Sequence, residues 1–486
     1  MKRDLIIGKY TLESLTNGMY ATPLDMYREY IQNAVDSFDE AIELGLEVSE
    51  KLSIKIDIDE TARSVTIRDN GCGIKAEDAV GTLLDIGNSQ KSRITSRGFR
   101  GIGRLAGLSY CEKLTFRTSY QGERTSTIIE FDAALLKELL LPGVRDRVSI
   151  EDVIETIVSV RTEKEVPNRR YFVVEMEGVG TEAGLIDHET VREYLIQHAP
   201  LQFLKTFKWG RTITEKTRLK GYMIPQYTIR LNGEALYKPY QDTFVSDRVK
   251  RNLDFIHDIK VETFYRKEQL SAILWYAETN YFGTIIENSI KGLRIRQGNI
   301  LIGDRVSCNH LFKEERFNGW MIGEIYILDP EIIVNSRRDG FEKNSAYYEL
   351  FSNLQDWAFE VSKGIRHLSY ERSLSSAKKT IVEAEKIDDI ADENDLFTED
   401  LAFAEIGEGS ILDQDESTEL AETDFISKLS LLLDQRKAQT KYAALNINTK
   451  LTIEQRRILE RVFDLIIQEY DRESAEEFIN TIASKF

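Results

Sequence analysis

One predicted helix constrains the fold and the chemistry of this chain more than any other segment. Residues 27–44 have helical periodicity, and Glu29, Asn33 and Asp36 occupy positions i, i+4 and i+7, so the three side chains share one face. The apolar residues that can pack against a core are Met26, Ile31, Val35 and Phe38. Carboxylates and carboxamides need polar partners when they are buried. The polar face is therefore either solvated or part of a polar site.

A second motif follows a predicted strand. Residues 52–60 and 62–71 alternate Ile or Val with polar residues, which predicts a hairpin of half-buried strands. The second strand ends in Asp69-Asn-Gly-Cys-Gly-Ile74. Alternating glycines let a backbone pass close to a ligand, and a strand-end aspartate can accept a hydrogen bond from an exocyclic amine. In isolation, the same motif is more often an Asn-Gly turn that closes a hairpin.

A glycine-rich stretch comes next. It contains Gly87-Asn-Ser-Gln-Lys-Ser92 and Gly98-Phe-Arg-Gly101-Ile-Gly103, followed by helix-like residues 105–110. Free backbone N–H groups before a helix can bind phosphate. The stretch lacks the Gly-Lys-Ser/Thr of a P-loop, and no predicted strand leads directly into it as a Rossmann fingerprint requires. Gly180-Thr181 then ends a strand and offers a hydroxyl, which alone carries no functional meaning.

Taken in order, these four elements resemble the motifs of the GHKL ATPases, a superfamily that joins Hsp90, MutL, gyrase B subunits, MORC proteins and histidine kinases. The resemblance covers about residues 20–350. It implies an α+β fold, in which a Bergerat-type ATP-binding α/β sandwich precedes a smaller α/β middle, transducer-like domain and a helical C-terminal tail. It also implies that ATP is held beneath a mobile lid.

The resemblance implies ATP and Mg²⁺ as cofactors and assigns roles to single residues. Glu29 would orient or deprotonate the attacking water, Asn33 would hold Mg²⁺, and Asp69 would bind adenine with support from Thr181 through a water. The implied cofactor-binding residues are Asn33, Asp36, Asp69, Gly71, Gly73, Ile74, Asn88, Lys91, Gly98, Phe99, Arg100, Gly101, Ile102, Gly103 and Thr181.

Further stretches resemble Hsp90 in particular. Phe99 to Gly103 looks like the glycine lid of that family, and the run after Gly180-Thr181 looks like the connector that leaves its nucleotide domain. Residues 330–344 resemble the middle-domain loop whose arginine reaches the γ-phosphate, which assigns that role to Arg338. Arg337, one residue out of register, remains a competitor. The alternative for the loop is a surface Arg–Asp cluster.

The chain is predicted to have four parts. They are an ATP-binding domain (1–215), a middle domain (216–375), an acidic linker (376–424) and a helical, dimerising region (425–486). Residues 384–424 hold sixteen acidic residues and one lysine, so most of the net charge of −18 lies there. The overall charge therefore argues neither for nor against a nucleic-acid partner.

The function expected from the resemblance is a Mg²⁺-dependent ATPase that works as a conformational clamp on an unidentified protein partner or client. The clamp is expected to be a homodimer joined by its C-terminal helices. The rival interpretation is a nucleotide-gated binding protein that acts with DNA or in a repair or phage-defence complex, as MutL and MORC relatives do. A histidine-kinase activity is disfavoured, because few residues precede Glu29 to supply a phosphoacceptor helix.

Composition sets the expected location. Three cysteines cannot form a disulfide framework, no apolar run approaches the ~18 residues of a membrane span, and the N-terminus lacks a signal-peptide pattern. We therefore expect a cytoplasmic protein with no membrane partner. The five histidines have no metal-ligand spacing, so a zinc site is not expected.

Overall fold

The first sheet and the helix before it are built from the segments that alternate most regularly in the sequence. The structure, a computed structural model, describes Lys9, Thr11 and residues 22–46, 51–85, 103–141, 149–181, 184–247 and 249–391, with side chains up to residue 372. The chain divides into two compact units, residues 1–364 and 365–486. The first unit contains two sheets. Of the second unit, the structure describes residues up to 391.

Eight strands form the first sheet. They are β1 (Ser53–Asp59), β2 (Ser64–Asp69), β3 (Lys113–Ser119), β4 (Thr125–Asp132), β5 (Val158–Lys164), β6 (Tyr171–Glu177), β7 (Thr228–Leu231) and β8 (Glu234–Ala235). Their spatial order is β5-β4-β3-β6-β2-β1-β7-β8. Only the β1–β7 pair of this sheet is parallel, so the sheet is mixed. The predicted β1–β2 hairpin is present, and Ile56 pairs with Ile67 in it.

Helices cover one face of this sheet. They are α1 (Asp25–Glu43), α2 (Ala76–Leu84), α3 (Ala133–Leu140), α4 (Ile150–Ile157) and α5 (His188–His198). In β1, buried and exposed residues alternate, as expected for a strand with one face packed and one face in water. Helix α1 buries Met26, Val35 and Phe38 completely in the core that the first sheet and its helices share. Each such side chain stabilises the fold by roughly 1.5–3 kcal/mol.

The second sheet of the first unit has five strands. They are β11 (Asp258–Arg266), β12 (Gln269–Glu278), β13 (Gly292–Gln297), β14 (Ile300–Ile302) and β15 (Ile322–Ile327), in the order β11-β12-β15-β13-β14. Helix α6 (Trp209–Leu219) precedes it, the hairpin β9 (Thr243–Ser246) and β10 (Asn252–Phe255) accompanies it, and helix α7 (Ser345–Ala391) follows it. Trp275 lies fully buried in the core of this part. The mixed α+β class predicted from sequence is confirmed.

A buried ionic network joins α5 to the second sheet. Glu324 of β15 contacts Lys238 at 2.5 Å and Arg296 of β13 at 2.6 Å, and all three side chains are buried. Arg296 Nη2 donates to the Gln197 carbonyl at 2.8 Å, and Arg294 Nε donates to Gln197 Oε1 at 2.8 Å. Burial lowers the pKa of Lys238 to about 7. Burial opposes the charge of Glu324 too, but the Arg296 and Lys238 charges outweigh it and hold the pKa of that carboxyl well below its ordinary value.

The first sheet extends past the predicted end of the first domain. Strands β7 and β8 pair with the first sheet, although they lie beyond residue 215, where the sequence analysis ended the first domain. Residues 392–486, which include the predicted helical region and most of the acidic linker, lie outside the described residues. Within the described part, no helix is both long enough and apolar enough to cross a membrane.

The last residue of α5 gives the fold a specific acid sensitivity. The ring of His198 stacks on Tyr194 with centroids 3.9 Å apart, and burial, aided by the charge of Arg28, lowers the pKa of His198 to about 4. The unfolded chain, with a histidine pKa near 6.5, then binds more protons between pH 6.5 and 4. The free energy of unfolding therefore falls as the pH falls through this window, by at most about 1.4 kcal/mol per pH unit.

We predict that His198→Phe, which keeps a stacking ring and cannot titrate, removes this contribution. Urea unfolding of both proteins at pH 7.0, 6.0 and 5.0 measures it. The wild-type free energy of unfolding should fall relative to that of the variant at each step. Two parallel curves would show that His198 ionises equally in the folded and unfolded chains.

Candidate functional site

The polar face of α1 is covered by segments from distant parts of the sequence. Glu29 is buried, and Gly103 packs directly on its carboxylate. A Cβ atom added at Gly103 would lie 2.2 Å from Glu29 Oε2, so a larger residue there would displace the carboxylate. The end of the predicted glycine-rich stretch and the predicted catalytic carboxylate are therefore in contact.

Arg338 reaches the same carboxylate from the loop after the second sheet. Its Nε lies 2.9 Å from Glu29 Oε1, and the two side chains are only 15% and 6% exposed. Arg337, the competitor in the sequence analysis, is exposed. The structure thus brings Arg338 and Glu29 together as an ion pair and leaves the Arg337 side chain at the surface.

A tight turn directs the Arg338 side chain inward. Arg338 has a left-handed backbone, with φ +57°, and its N–H donates to the Asn335 carbonyl at 3.2 Å. Asn335 Nδ2 donates to Asp339 Oδ1 at 2.6 Å, and Gly303 N–H donates to the Arg338 carbonyl at 3.1 Å. Non-glycine residues with positive φ cost of order 1–3 kcal/mol and persist only where their surroundings impose them. These bonds supply that constraint.

A second arginine, which the sequence analysis did not single out, fixes this loop to α1. Arg28 is buried, its Nη1 lies 3.2 Å from Asp25 Oδ1, and its Nη2 donates to the Arg337 carbonyl at 3.2 Å. Its Nε lies 3.8 Å from Glu29 Oε1. Asp25 also accepts a hydrogen bond from Tyr194 of α5 at 2.8 Å. Glu29 is therefore flanked by two guanidinium groups, and nothing in the sequence distinguishes Arg28 from an ordinary surface arginine.

The Asp69–Ile74 motif forms a compact loop at the end of β2. Asp69 is buried, and its Oδ1 accepts the Gly71 N–H at 2.9 Å. Gly73 has φ +71°, and a Cβ atom there would lie 2.0 Å from the Ser119 carbonyl oxygen. Ile74 N–H donates to Thr118 Oγ1 at 2.8 Å. The close approaches that these glycines permit are thus made to the protein itself.

Helix α1 holds this loop through Ser37. Ser37 Oγ accepts the Cys72 N–H at 2.9 Å, and a Cβ atom at Gly71 would lie 2.2 Å from Ser37 Oγ. Burial raises the pKa of the Cys72 thiol to about 12, so it is neutral at physiological pH. Asn33 is half-buried and Asp36 is buried on the same helix. The two predicted motifs therefore form one surface.

Thr181 is not part of that surface. Strands β2 and β6 are antiparallel, Asp69 pairs with Phe172 at the start of β6, and Thr181 follows the opposite end of β6, where it is exposed. The structure does not bring Thr181 to Asp69, because the strand carries it away. Thr118 of β3 also pairs with Phe172 and therefore lies in line with Asp69 across the sheet. It is a buried hydroxyl that the sequence analysis missed.

The other predicted binding residues fall in one segment. Asn88, Lys91, Gly98, Phe99, Arg100, Gly101 and Ile102 lie outside the described residues. Among the residues that are described, no group of three or more His, Cys, Asp or Glu side chains is arranged to hold a metal ion.

Comparison with known families agrees with this geometry. Residues 26–139 match the family model described as histidine kinase-, DNA gyrase B-, and HSP90-like ATPase. The chain contains a GHKL-type ATPase domain. The matched residues include α1, the Asp69–Ile74 loop and Gly103 of this GHKL domain, whereas Thr181 and Arg338 lie outside the match.

Individual relatives point to the Hsp90-like branch of the GHKL proteins. The chaperone protein HtpG of Mycobacterium bovis (strain BCG / Pasteur 1173P2) is 31% identical over 141 residues, which cover 25% of this chain and 22% of that protein. The HtpG of Verminephrobacter eiseniae (strain EF01-2) is 29% identical over 129 residues, or 23% and 20% of the two chains. The similarity thus spans about a fifth of the length of these relatives.

The Gly73 position of the GHKL domain yields a prediction about stability. Gly73→Ala combines a left-handed backbone with a collision against a backbone carbonyl and should destabilise the fold by about 2 kcal/mol or more. Gly122→Ala is the matched control, because Gly122 has φ +97° but open space around its Cα. Urea unfolding of both variants should therefore show the larger loss at Gly73. Equal losses would mean that the Ser119 carbonyl moves aside at little cost.

Proposed function

We propose that the chain is a Mg²⁺-dependent ATPase that closes around its nucleotide and passes this motion to a protein partner. The observation that carries the proposal is the ion pair between Glu29 and Arg338. It joins a carboxylate suited to activate water with an arginine suited to bind a terminal phosphate. The two residues come from the parts of the chain that carry the first and the second sheet.

The proposed roles follow from the chemistry of each group. Asp69 would accept a hydrogen bond from the adenine amine, and Gly71, Gly73 and Gly103 would bind the nucleotide through their backbone while their close packing on Ser37, the Ser119 carbonyl and Glu29 holds the site together. Asn33 would hold Mg²⁺, which keeps phosphate oxygens and waters as its other ligands and would neutralise phosphate charge. Glu29 would take the proton of the attacking water. Asp36, on the same helix, would contribute to binding.

The same ion pair gives the proposed ATPase an inactive resting state. Arg338 Nε lies 2.9 Å from Glu29 Oε1 and Arg28 Nε lies 3.8 Å from the same oxygen, so this oxygen contacts the protein's own guanidinium groups and is not open to a water. The γ-phosphate carries more negative charge than Glu29 and presents several oxygens, so it would compete for the planar, bidentate guanidinium of Arg338. Binding of ATP would then release Glu29 to act as the base. Hydrolysis would thereby depend on the position of the second sheet and its arginine loop.

The proposal extends to the surroundings of the protein. The relatives are named chaperone proteins, so we assign the partner to the class of protein clients. The amphipathic sequence pattern of residues 425–486 supports the further proposal of a homodimer joined through that region. A cytoplasmic location is supported by Cys72, Cys111 and Cys308, all of which are buried and unbridged.

The first prediction from this function separates binding from turnover. In the full chain, Asp69→Asn should abolish ATP binding, because the adenine amine loses a charged acceptor and faces a donor. Glu29→Gln should bind ATP within a few-fold of the wild type and hydrolyse it about 10²–10⁴-fold more slowly. Isothermal calorimetry and phosphate release measure the two effects. Unchanged ATP affinity in the Asp69→Asn protein would overturn the assignment of the adenine site.

The second prediction concerns the two adjacent arginines. Arg338→Ala should reduce kcat by about 10- to 10³-fold, less than the largest effects known for phosphate-contacting arginines, because this one comes from a separate segment. Arg337→Ala is the control, since its side chain is exposed and its contact with Arg28 uses the backbone carbonyl, which alanine retains. Steady-state phosphate release at saturating ATP measures both variants. If Arg337→Ala lowered kcat strongly and Arg338→Ala did not, the phosphate-contacting arginine would be Arg337.

A further inference from the structure

A buried amide on α1 has no role in the site described above. Gln32 is 1% exposed, and within the described part of the chain neither its Nε2 nor its Oε1 has a hydrogen-bond partner. Around the helix it lies about 20° from Asp25 and about 40° from Asp36, nearer than about 60° from Val35, the closest of the apolar residues Met26, Ile31, Val35 and Phe38. With 3.6 residues per turn, it lies about 60° from Glu29 around the helix and one turn further along. It therefore shares the polar face with Asp25, Glu29 and Asp36.

An unpaired buried amide is costly. Leaving a buried donor or acceptor without a partner costs about 1–3 kcal/mol for each group, and native proteins pair more than about 90% of such groups. Other buried polar side chains of α1 obey this rule. The Tyr30 hydroxyl donates to the Arg104 carbonyl and accepts the Gly107 N–H, and the Asp25 carboxylate accepts hydrogen bonds from the Tyr194 hydroxyl and the Thr22 N–H. A folded protein with an apolar side chain of similar size at position 32 would be more stable than the protein with glutamine there.

The geometry of α1 indicates which groups could hydrogen-bond to the Gln32 amide. Glu29 lies between two amides on the same face, with Asn33 about 40° to one side and Gln32 about 60° to the other. Asn33 is the proposed metal ligand. An amide on the other side of the base can accept a hydrogen bond from a water and donate one to a phosphate oxygen, and it carries no charge that would compete with Glu29 for the proton. Glutamine orients the attacking water in other phosphoryl-transfer enzymes.

We propose that Gln32 binds and orients the attacking water beside Glu29. The inference rests on the proposed ATPase function and assigns a further catalytic residue to it. Gln32 Oε1 accepts one O–H of the water, and Glu29 takes the proton of the other O–H. The water oxygen then forms its bond to the γ-phosphorus as the bond to the β,γ-bridging oxygen breaks. The electron pair of that bond leaves with ADP.

The test is Gln32→Met in the full chain, because methionine has nearly the same volume and length and cannot hydrogen-bond strongly. We expect ATP affinity within two-fold of the wild type, an unfolding midpoint equal to or above the wild type, and kcat lower by about 10- to 100-fold. Gln226→Met is the matched control. Gln226 also has an unpaired, buried Nε2 but lies outside the site. The kcat of the Gln226→Met protein should therefore equal that of the wild type.

The outcomes separate the inference from the function on which it rests. A wild-type chain that neither binds nor hydrolyses ATP would overturn the proposed function. A wild-type chain that hydrolyses ATP, with Gln32→Met turning over at the same rate, would overturn the role of Gln32 alone. A Gln32→Met protein with both a lower unfolding midpoint and slower turnover would also overturn it, since the amide would then be a structural group. Only slower turnover in a protein at least as stable supports the inference.

Discussion

The ion pair between Glu29 and Arg338 is the contact on which the arrangement of the first unit depends. A carboxylate that is only 6% exposed must be neutralised, because removing one partner of a buried pair typically costs about 3–5 kcal/mol. This requirement fixes the loop after the second sheet to helix α1. Arg28 strengthens the same junction by holding the Arg337 carbonyl, and Arg294 and Arg296 strengthen it from the other side through Gln197. Arginine is thus the common connector between the two sheets.

Close packing around this ion pair leaves little freedom for the residues beside it. Gly103 is confined by the Glu29 carboxylate, Gly71 by the Ser37 hydroxyl, and Gly73 by the Ser119 carbonyl. Each contact removes the room for a Cβ atom. The glycines of the motifs therefore have a structural function within the protein itself, apart from any role in binding. A larger residue would displace the Glu29 or Ser37 side chain at Gly103 or Gly71, and would collide with the backbone at Gly73.

Sequence patterns predicted the elements better than their arrangement. The β1–β2 hairpin and α1 were predictable because one face of each is apolar and repeats at the period of the element. β5 was missed because it is an exposed strand without alternation of buried and exposed residues. The prediction that Thr181 lies beside Asp69 failed for a different reason. A strand pattern does not reveal which end of the strand adjoins a given neighbour, and the antiparallel pairing of β2 and β6 placed Thr181 at the far end.

Arg28 and Gln32 looked like solvated residues of a polar helix face, since the segments that cover them are distant in sequence.

The separation of the paired residues along the chain has a consequence for folding during synthesis of the protein. Arg28 and Arg337, like Glu29 and Arg338, are 309 residues apart. A ribosome that adds about 5–20 residues per second needs roughly 15–60 s to pass from one to the other. During that interval the nascent first sheet carries Glu29 without its arginine, and even β1 waits for β7 to be made before its outer edge is paired. The part of the chain that carries the first sheet thus emerges with a carboxylate that has Arg28 beside it but lacks Arg338, and with an open strand edge. It reaches its final form only after the second sheet has been synthesised.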